Sequence, residues 1–318
     1  MNSQLHKENA SRKKVRAALV GAGYLGGFHA EKLASHPDVE LVAISDLNES
    51  RLRELAAKHG CQTTTDYKTL AGQVDCVLIA STTSAHFAVA SFFAQTGLPL
   101  FIEKPITGTL AEGRELLALQ DKQGSPIMVG HIERFNPVLI RCREMLAEVS
   151  PLFYRFFRRG PFRERGSDVS VLHDLMIHDF DLLRYWTDCH SLEITFQALK
   201  AIKTSLIDQA VCAGLTDTGI LFELEASRVW SEPQRGVHVV GRNATLEVNS
   251  VTQVIKKVDH STGQITEEVV PKADAMKAEV ASFIERVMIQ RTEPLISARD
   301  GFWNLEQVEK VIAGGVKA

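Results

Sequence analysis

The chain has 318 residues, 45% hydrophobic, 24% charged and 7% aromatic, which suits a folded globular protein and excludes a disordered one. Lys and Arg number 36 against 39 Asp and Glu, a net charge of −3, so no overall basic field exists to hold nucleic acid or an anionic membrane. At about 100–200 residues per domain, the length predicts two domains.

The first fourteen residues, MNSQLHKENASRKK, are polar and basic and predict a frayed tail rather than a leader. No apolar run approaches the ~18 residues of a membrane span, so a cytoplasmic protein is expected. From residue 15 to 130, short apolar runs alternate with amphipathic stretches, the pattern of β-α-β units on a parallel sheet. The expected strands are RAALVG, VELVAIS, DCVLIAS, LPLFIE and PIMVG. Between the second and third, residues 48–59 predict a helix with Asn48 as N-cap and Gly60 closing it.

Beyond Gly130 the texture changes. One helix is expected over residues 170–186, followed by β-like runs without intervening helices: LEITFQAL, QAVCAGLT, GILFELEASRVW, GVHVVGR, ATLEVNS and VTQVIKKV. That order predicts a mostly antiparallel sheet in an α+β domain, and helices return over 272–290 and 298–318. The expected division is therefore an α/β Rossmann-type domain over 1–127 and an α+β domain over 128–318, whose last helix can pack back on the first. Five cysteines, Cys61, Cys76, Cys142, Cys189 and Cys212, form no C-x-x-C pair and read as reduced thiols.

Gly21-Ala22-Gly23-Tyr24-Leu25-Gly26 is G-x-G-x-x-G directly after an apolar strand and before a helical run. Gly21 allows the tight turn, Gly23 a close approach of backbone to pyrophosphate, and Gly26 close packing of helix on strand. The helix N-terminus beyond it offers N–H groups and partial positive charge to phosphates. Asp46, twenty residues after Gly26, can accept hydrogen bonds from the adenosine ribose hydroxyls, which favours NAD; it can also cap the following helix, and Arg51 keeps NADP open.

At the end of LPLFIE stands Glu103-Lys104-Pro105, where a parallel sheet presents ligand-facing residues, so Lys104 reads as a donor aimed into the nucleotide crevice. In the segment HDLMIHDFD, Asp174, His178 and Asp181 fall at i, i+4 and i+7 and are expected on one helical face. His173 and His178 are five apart, the wrong spacing for a zinc helix, and no metal is expected.

Together the GAGYLG turn, the EKP segment and the Asp-x-x-x-His helix resemble the glucose–fructose oxidoreductase / inositol dehydrogenase (Gfo/Idh/MocA) family of NAD(P)-dependent enzymes. Further anchors are Ala80-Ser81-Thr82-Thr83-Ser84-Ala85-His86, Arg134-Phe135-Asn136-Pro137 and the segment PLISARDG at 294–301. The resemblance implies a cofactor site including Gly21, Gly23, Tyr24, Leu25, Gly26, Asp46, Ser81, Thr82, His86, Glu103 and Lys104, a cis Lys104–Pro105 bond, and a homo-oligomer, dimer or tetramer. Where the family commonly has Gly two residues after the aspartate, this chain has Met176. HIERFNP with DVSVLHDLMIHDFDLL is similar to the UDP-N-acetylglucosamine 3-dehydrogenase subgroup, whose 3-keto nucleotide sugar is transaminated in lipid A synthesis.

The stretch RFFRRGPFRER carries Arg155, Arg158, Arg159, Arg163 and Arg165, and guanidinium pairs suit a diphosphate; a solvated or subunit-facing edge is the competing reading. The expected substrate contacts are Arg134, Asn136, Arg158, Arg159, Asp174 and His178. His178 is the expected base for a sugar hydroxyl, Lys104 the group that stabilises charge on the oxygen, and Asp174 an orienting residue. Competing readings are a dehydrogenase of a free polyol or hexose and a dinucleotide-binding regulator without turnover.

Overall fold

Strands that are apolar on both faces must be covered on both, and the first part of the chain meets that need with helices. The computed structural model describes residues 13–164, 166–167 and 169–315; residues 1–12 of the expected tail and Arg165 lie outside the described residues. Residues up to Gly130 with Met276–Phe302 form one unit, and His131–Ala275 with the residues from Trp303 onward form another.

In the first unit, β1 (Val15–Val20), β2 (Val39–Ser45), β3 (Gln62–Thr64), β4 (Cys76–Ile79), β5 (Leu100–Glu103) and β6 (Ile127–Gly130) make a parallel sheet in the order β3-β2-β1-β4-β5-β6. Every residue of β4, β5 and β6 is buried. Helices α1 (Tyr24–Ser35), α2 (Glu49–His59), α3 (Thr83–Ala94) and α4 (Leu110–Gln123) connect them. As the sequence predicts, Asn48 caps α2 by accepting from the Arg51 N–H, and Gly60 ends it in the left-handed region at φ 68°. Strand order reverses between β1 and β4, the switch point at which open α/β sheets bind ligands.

The sheet runs three residues past the expected boundary at 127, and Met276–Phe302, placed with the second domain from its position in the chain, belongs to the first unit. Its apolar residues explain this. Phe283 and Ile284 are fully buried, the Phe283 ring lies 6.0 Å from that of Phe101, and the Val129 N–H donates to the Ile296 carbonyl at 3.0 Å.

The second unit contains α5 (Pro137–Val149), β7 (Pro151–Arg159), a π-helical turn (Leu172–Met176) and α6 (Ile177–Thr187). Seven further strands follow: β8 (Leu192–Lys200), β9 (Gln209–Thr216), β10 (Leu221–Ser227), β11 (Gln234–Gly241), β12 (Ala244–Asn249), β13 (Val254–Asp259) and β14 (Ile265–Val269). The chain closes with α7 (Ala275–Ser282), a π-helical stretch (Phe283–Ile289) and α8 (Ala298–Gly314). The sheet order is β14-β13-β12-β11-β7-β10-β9-β8, and only the β7–β10 pair is parallel. Its core joins Val138 and Cys142 of α5, Phe180 of α6 and Val308 and Val311 of α8 to Phe156, Leu224, Val237 and Leu246 of the strands. All five cysteines are free, and burial pushes the Cys142 thiol up to about 12. Among the described residues no helix is long and apolar enough to cross a membrane.

Candidate active site

The glycine turn between β1 and α1 is shaped by contacts that side chains would obstruct. Gly21 has φ +107°, and a β-carbon there would stand 2.5 Å from the backbone of Ala80 and Ser81, so the turns after β1 and β4 touch. A β-carbon on Gly26 would collide with the Gly21 carbonyl oxygen. At Gly23, by contrast, a β-carbon would meet nothing within 4 Å, which leaves its face open. Helix α1 begins at Gly23 with no side-chain cap and no acid in its first turn, and Tyr24, Leu25 and Gly26 form that turn. An open, uncapped helix N-terminus suits a dinucleotide pyrophosphate.

Asp46 holds this turn from the second strand. Its Oδ2 accepts from the Ala22 N–H at 2.6 Å and its Oδ1 from the Asn48 N–H at 2.8 Å. The helix cap is Asn48, so Asp46 is not the cap. Each carboxylate oxygen keeps acceptor capacity for a hydroxyl. Across the switch point, Thr82 precedes α3 without a side-chain cap bond, and Ser81 abuts Gly21.

Two residues expected to contact cofactor are buried and bonded within the fold. The His86 ring nitrogens lie 2.8 Å from the Pro105 carbonyl and 3.2 Å from that of Ser81; burial lowers its pKa, and the neutral ring donates to one of them. Glu103 is 8% exposed and lies 2.6 Å from His29 Nε2 of α1, while its Oε2 accepts from the Lys104 N–H at 3.3 Å. Burial raises the Glu103 pKa, but His29, Lys104 and His86 together outweigh it and leave the carboxyl below its ordinary range. His29 ties the nucleotide helix to the strand that presents Lys104; its one sequence signal is a histidine on an otherwise apolar helix face. The Lys104–Pro105 bond is cis.

In the second unit, Asp174 lies in a π-helical turn at Leu172–Met176, where the Ile177 N–H bonds back to the Leu172 carbonyl, and His178 and Asp181 follow on α6, three residues apart. Asp181 is 1% exposed and receives Arg134 Nε and Nη2, both at 2.7 Å, and Asn304 Nδ2 at 2.9 Å. His178 is buried, its ring 5.8 Å from that of His131 at 90°, and Asn304 joins His131 at 3.0 Å. Asp174 is half-buried beneath the loop at Gly166, whose φ is +77° and where a β-carbon would stand 2.9 Å from Asp174 Oδ2. Arg228 fixes this loop: Nη1 donates to the Gly166 carbonyl at 2.9 Å, Nη2 to that of Val169, and Nε pairs with Asp208 at 3.0 Å. His173, next to Asp174, is engaged by Ser170 and Glu309, each at 2.9 Å.

Several expected substrate contacts are committed within the fold. Arg134 is salt-bridged to Asp181 and its guanidinium lies 4.4 Å from the Tyr185 ring centroid. Asn136 donates to Glu133 and accepts from Gln253, each at 3.0 Å. Arg158 is 4% exposed, with Nη1 on Glu133 at 2.6 Å and Nε on Asp179 at 2.8 Å. Arg155 pairs with Glu223 at 2.9 Å, and Arg159 with Glu225 at 3.6 Å and against the Trp230 ring. Strand alternation sends Arg155 and Arg159 to the face opposite Arg158. Strand β7 ends at Arg159, and Arg163 is exposed on the loop beyond, so these arginines do not converge on one phosphate.

One positive charge shared between two buried carboxylates leaves one of them short. Burial pushes the Glu133 pKa up, but Arg158, Asn136 and Arg235 together more than offset this and leave it low. At Asp179 burial wins over Arg158 and raises the pKa to about 7; its Oδ2 is buried without a hydrogen-bond partner. Sequence reasoning missed Glu133 and Asp179 because nothing in their spacing announces a shared arginine.

Residues 15–131 match the oxidoreductase family with an NAD-binding Rossmann fold, Gfo/Idh/MocA. The chain is 30% identical over 285 residues to the UDP-N-acetylglucosamine 3-dehydrogenase of Acidithiobacillus ferrooxidans, covering 87% of this chain and 90% of that one. It is 27% identical to the scyllo-inositol 2-dehydrogenase (NAD(+)) of Bacillus subtilis, over 68% of each. A solved structure of the Acidithiobacillus ferrooxidans enzyme superposes with a TM-score of 0.88 at 28% identity, covering 95% of this chain and 98% of that one. The chain belongs to the Gfo/Idh/MocA family and is an NAD-binding oxidoreductase of the dehydrogenase kind.

Proposed function

We propose that the protein is a cytoplasmic, homo-oligomeric dehydrogenase that uses NAD to oxidise a nucleotide sugar, with UDP-N-acetylglucosamine oxidised at C3 as the specific reaction. The observation that carries the reading is likeness to the Acidithiobacillus ferrooxidans enzyme over 87% of the chain, joined to a histidine on a helix that follows a π-helical turn. Asp46 favours NAD, because a carboxylate beside the ribose repels a 2′-phosphate. NAD, when bound, supplies the two-electron acceptor.

The chain's own residues deal with the proton and the charge. His178 has its Nδ1 shut off from solvent, so Nε2 takes the hydroxyl proton. A neutral imidazole is a suitable proton acceptor for a hydroxyl. Lys104 stabilises negative charge developing on the reacting oxygen, and Asp174 accepts a sugar hydroxyl. Met176 is fully buried and takes no direct part. A reading as a polyol dehydrogenase draws on the inositol dehydrogenase relative.

Thermal shifts of the NAD complex distinguish the two, since a ligand that binds the native state raises its stability by mass action. UDP-N-acetylglucosamine is expected to raise the melting temperature, and N-acetylglucosamine or scyllo-inositol to leave it unchanged. A shift by scyllo-inositol alone would replace the proposed substrate with a polyol.

A further inference from the structure

The arginines of β7 are paired with carboxylates of the fold, while a cation outside that run is not. Arg235 of β11 lies directly opposite Arg158 in the antiparallel β7–β11 register. Directly paired residues leave a sheet on the same face, and Val237 and Val239, which share the parity of Arg235, are buried beneath the helices. Arg235 therefore leaves the sheet on the face that carries Arg158 and the helix bearing His178. Unlike Arg158 it is exposed. Among the described residues no side-chain hydrogen bond or ion pair engages its guanidinium.

The local charges explain why Arg235 is left over. Glu133 and Asp179 are bonded to Arg158, and Asp179 lies under the loss of solvation described above. Although its side chain reaches solvent, the protein packed around the Arg235 guanidinium and then repulsion from Arg158 pull its pKa below its ordinary value, while Glu133, Asp174 and Asp179 act on it in the opposite sense. A fork of N–H donors that faces another cation and has no bonded carboxylate is best satisfied by an incoming anion with two acceptor oxygens. Asp174, proposed above to hold the sugar, is near enough for its charge to act on the same guanidinium.

We propose that Arg235 is a specificity-determining residue that receives the anionic diphosphate of the substrate and so separates nucleotide sugars from neutral ones. The assignment rests on the nucleotide-sugar reading. It makes Arg158 the buried strut beneath the contact rather than the contact itself.

Steady-state kinetics with NAD and UDP-N-acetylglucosamine test it in the intact protein, using Arg235→Gln, Arg235→Lys and Arg242→Gln, the last an exposed arginine just beyond the far end of the same strand. A charge-assisted contact implies a rise in KM of roughly ten- to a hundredfold for Arg235→Gln with kcat nearly unchanged, the mark of lost uniform binding. Arg235→Lys should recover part of the loss, since an ammonium keeps the charge without the fork. Arg242→Gln should match wild type. KM should rise with salt in wild type and much less in Arg235→Gln. If wild type oxidises UDP-N-acetylglucosamine and Arg235→Gln does so with unchanged KM, the assignment fails while the nucleotide-sugar reading stands. A fall in kcat alone would also overturn it, making Arg235 a partner of Asp174. If wild type oxidises only neutral sugars, the reading and the assignment fail together.

Discussion

The glycine turn of the first unit and the charged layer of the second handle polar groups in opposite ways. At the turn, main-chain N–H groups at the start of α1 are left uncapped and open, and side chains are kept away by Gly21, Gly23 and Gly26. In the second unit, side-chain charges turn inward and pair with one another, as in Arg158 with Glu133 and Asp179, and Arg134 with Asp181. A site built of backbone can accept a ligand without any side chain being spare. A layer built of charges can offer only what its own pairing leaves over, and Arg235 has no bonded carboxylate among the described residues.

The largest expected effect lies at the proposed base. His178→Asn removes the proton acceptor and should lower kcat by ~10²–10⁴ while NAD affinity, measured by titration, stays nearly constant. Full turnover in that variant would move the base to another group. Next comes the buried strut. Arg158→Ala leaves Glu133 charged and uncompensated, so stability should fall by about 3–5 kcal/mol in thermal or urea unfolding. If it instead left stability intact and raised only the KM for substrate, Arg158 would be a ligand and the contrast between the two regions would collapse.

A smaller effect is expected at the turn's acidic prop. Asp46→Ala removes an acceptor for the ribose and a bond to Ala22, and should shift the ratio of NAD to NADP affinity toward NADP by about tenfold. Tighter NADP than NAD binding in the unmutated protein would contradict the ribose role. The smallest concerns Asp179, whose pKa burial raises to about 7. A raised carboxyl binds its proton more tightly folded than unfolded, so its contribution is full below about pH 4 and is lost as pH rises through 7. Asp179→Asn cannot ionise. Its melting temperature relative to wild type should therefore improve between pH 5 and 8, by roughly 2–4 °C for each kcal/mol involved. A pH-independent difference would mean that Asp179 is charged throughout.

The same contrast sets what the residues disclose before folding. The turn was legible because its function needs glycines at fixed spacing between a strand and a helix, a purely local requirement. The strand β3 was not, since Gln62–Thr64 has no apolar alternation to mark it. Nor was the place of Met276–Phe302, because its contacts with Phe101 and Val129 span some 170 residues of chain. In the arginine-rich stretch, composition announced cations but not their partners; Glu133, Glu223 and Glu225 lie far off in sequence and decide which way each guanidinium is spent. The helix bearing His178 was expected correctly, whereas the π-helical start that carries Asp174 was not, nor was the pairing of Asp181 with Arg134, which is 47 residues away.

The central claim is transfer of the C3 hydrogen of UDP-N-acetylglucosamine to NAD, and the most direct test uses substrate deuterated at that carbon alone. The protein, incubated with NAD and the labelled nucleotide sugar, should yield reduced cofactor carrying deuterium and a 3-keto sugar, both visible by mass spectrometry. Reduced cofactor without label, or label retained in the sugar while scyllo-inositol is oxidised under the same conditions, would contradict the account.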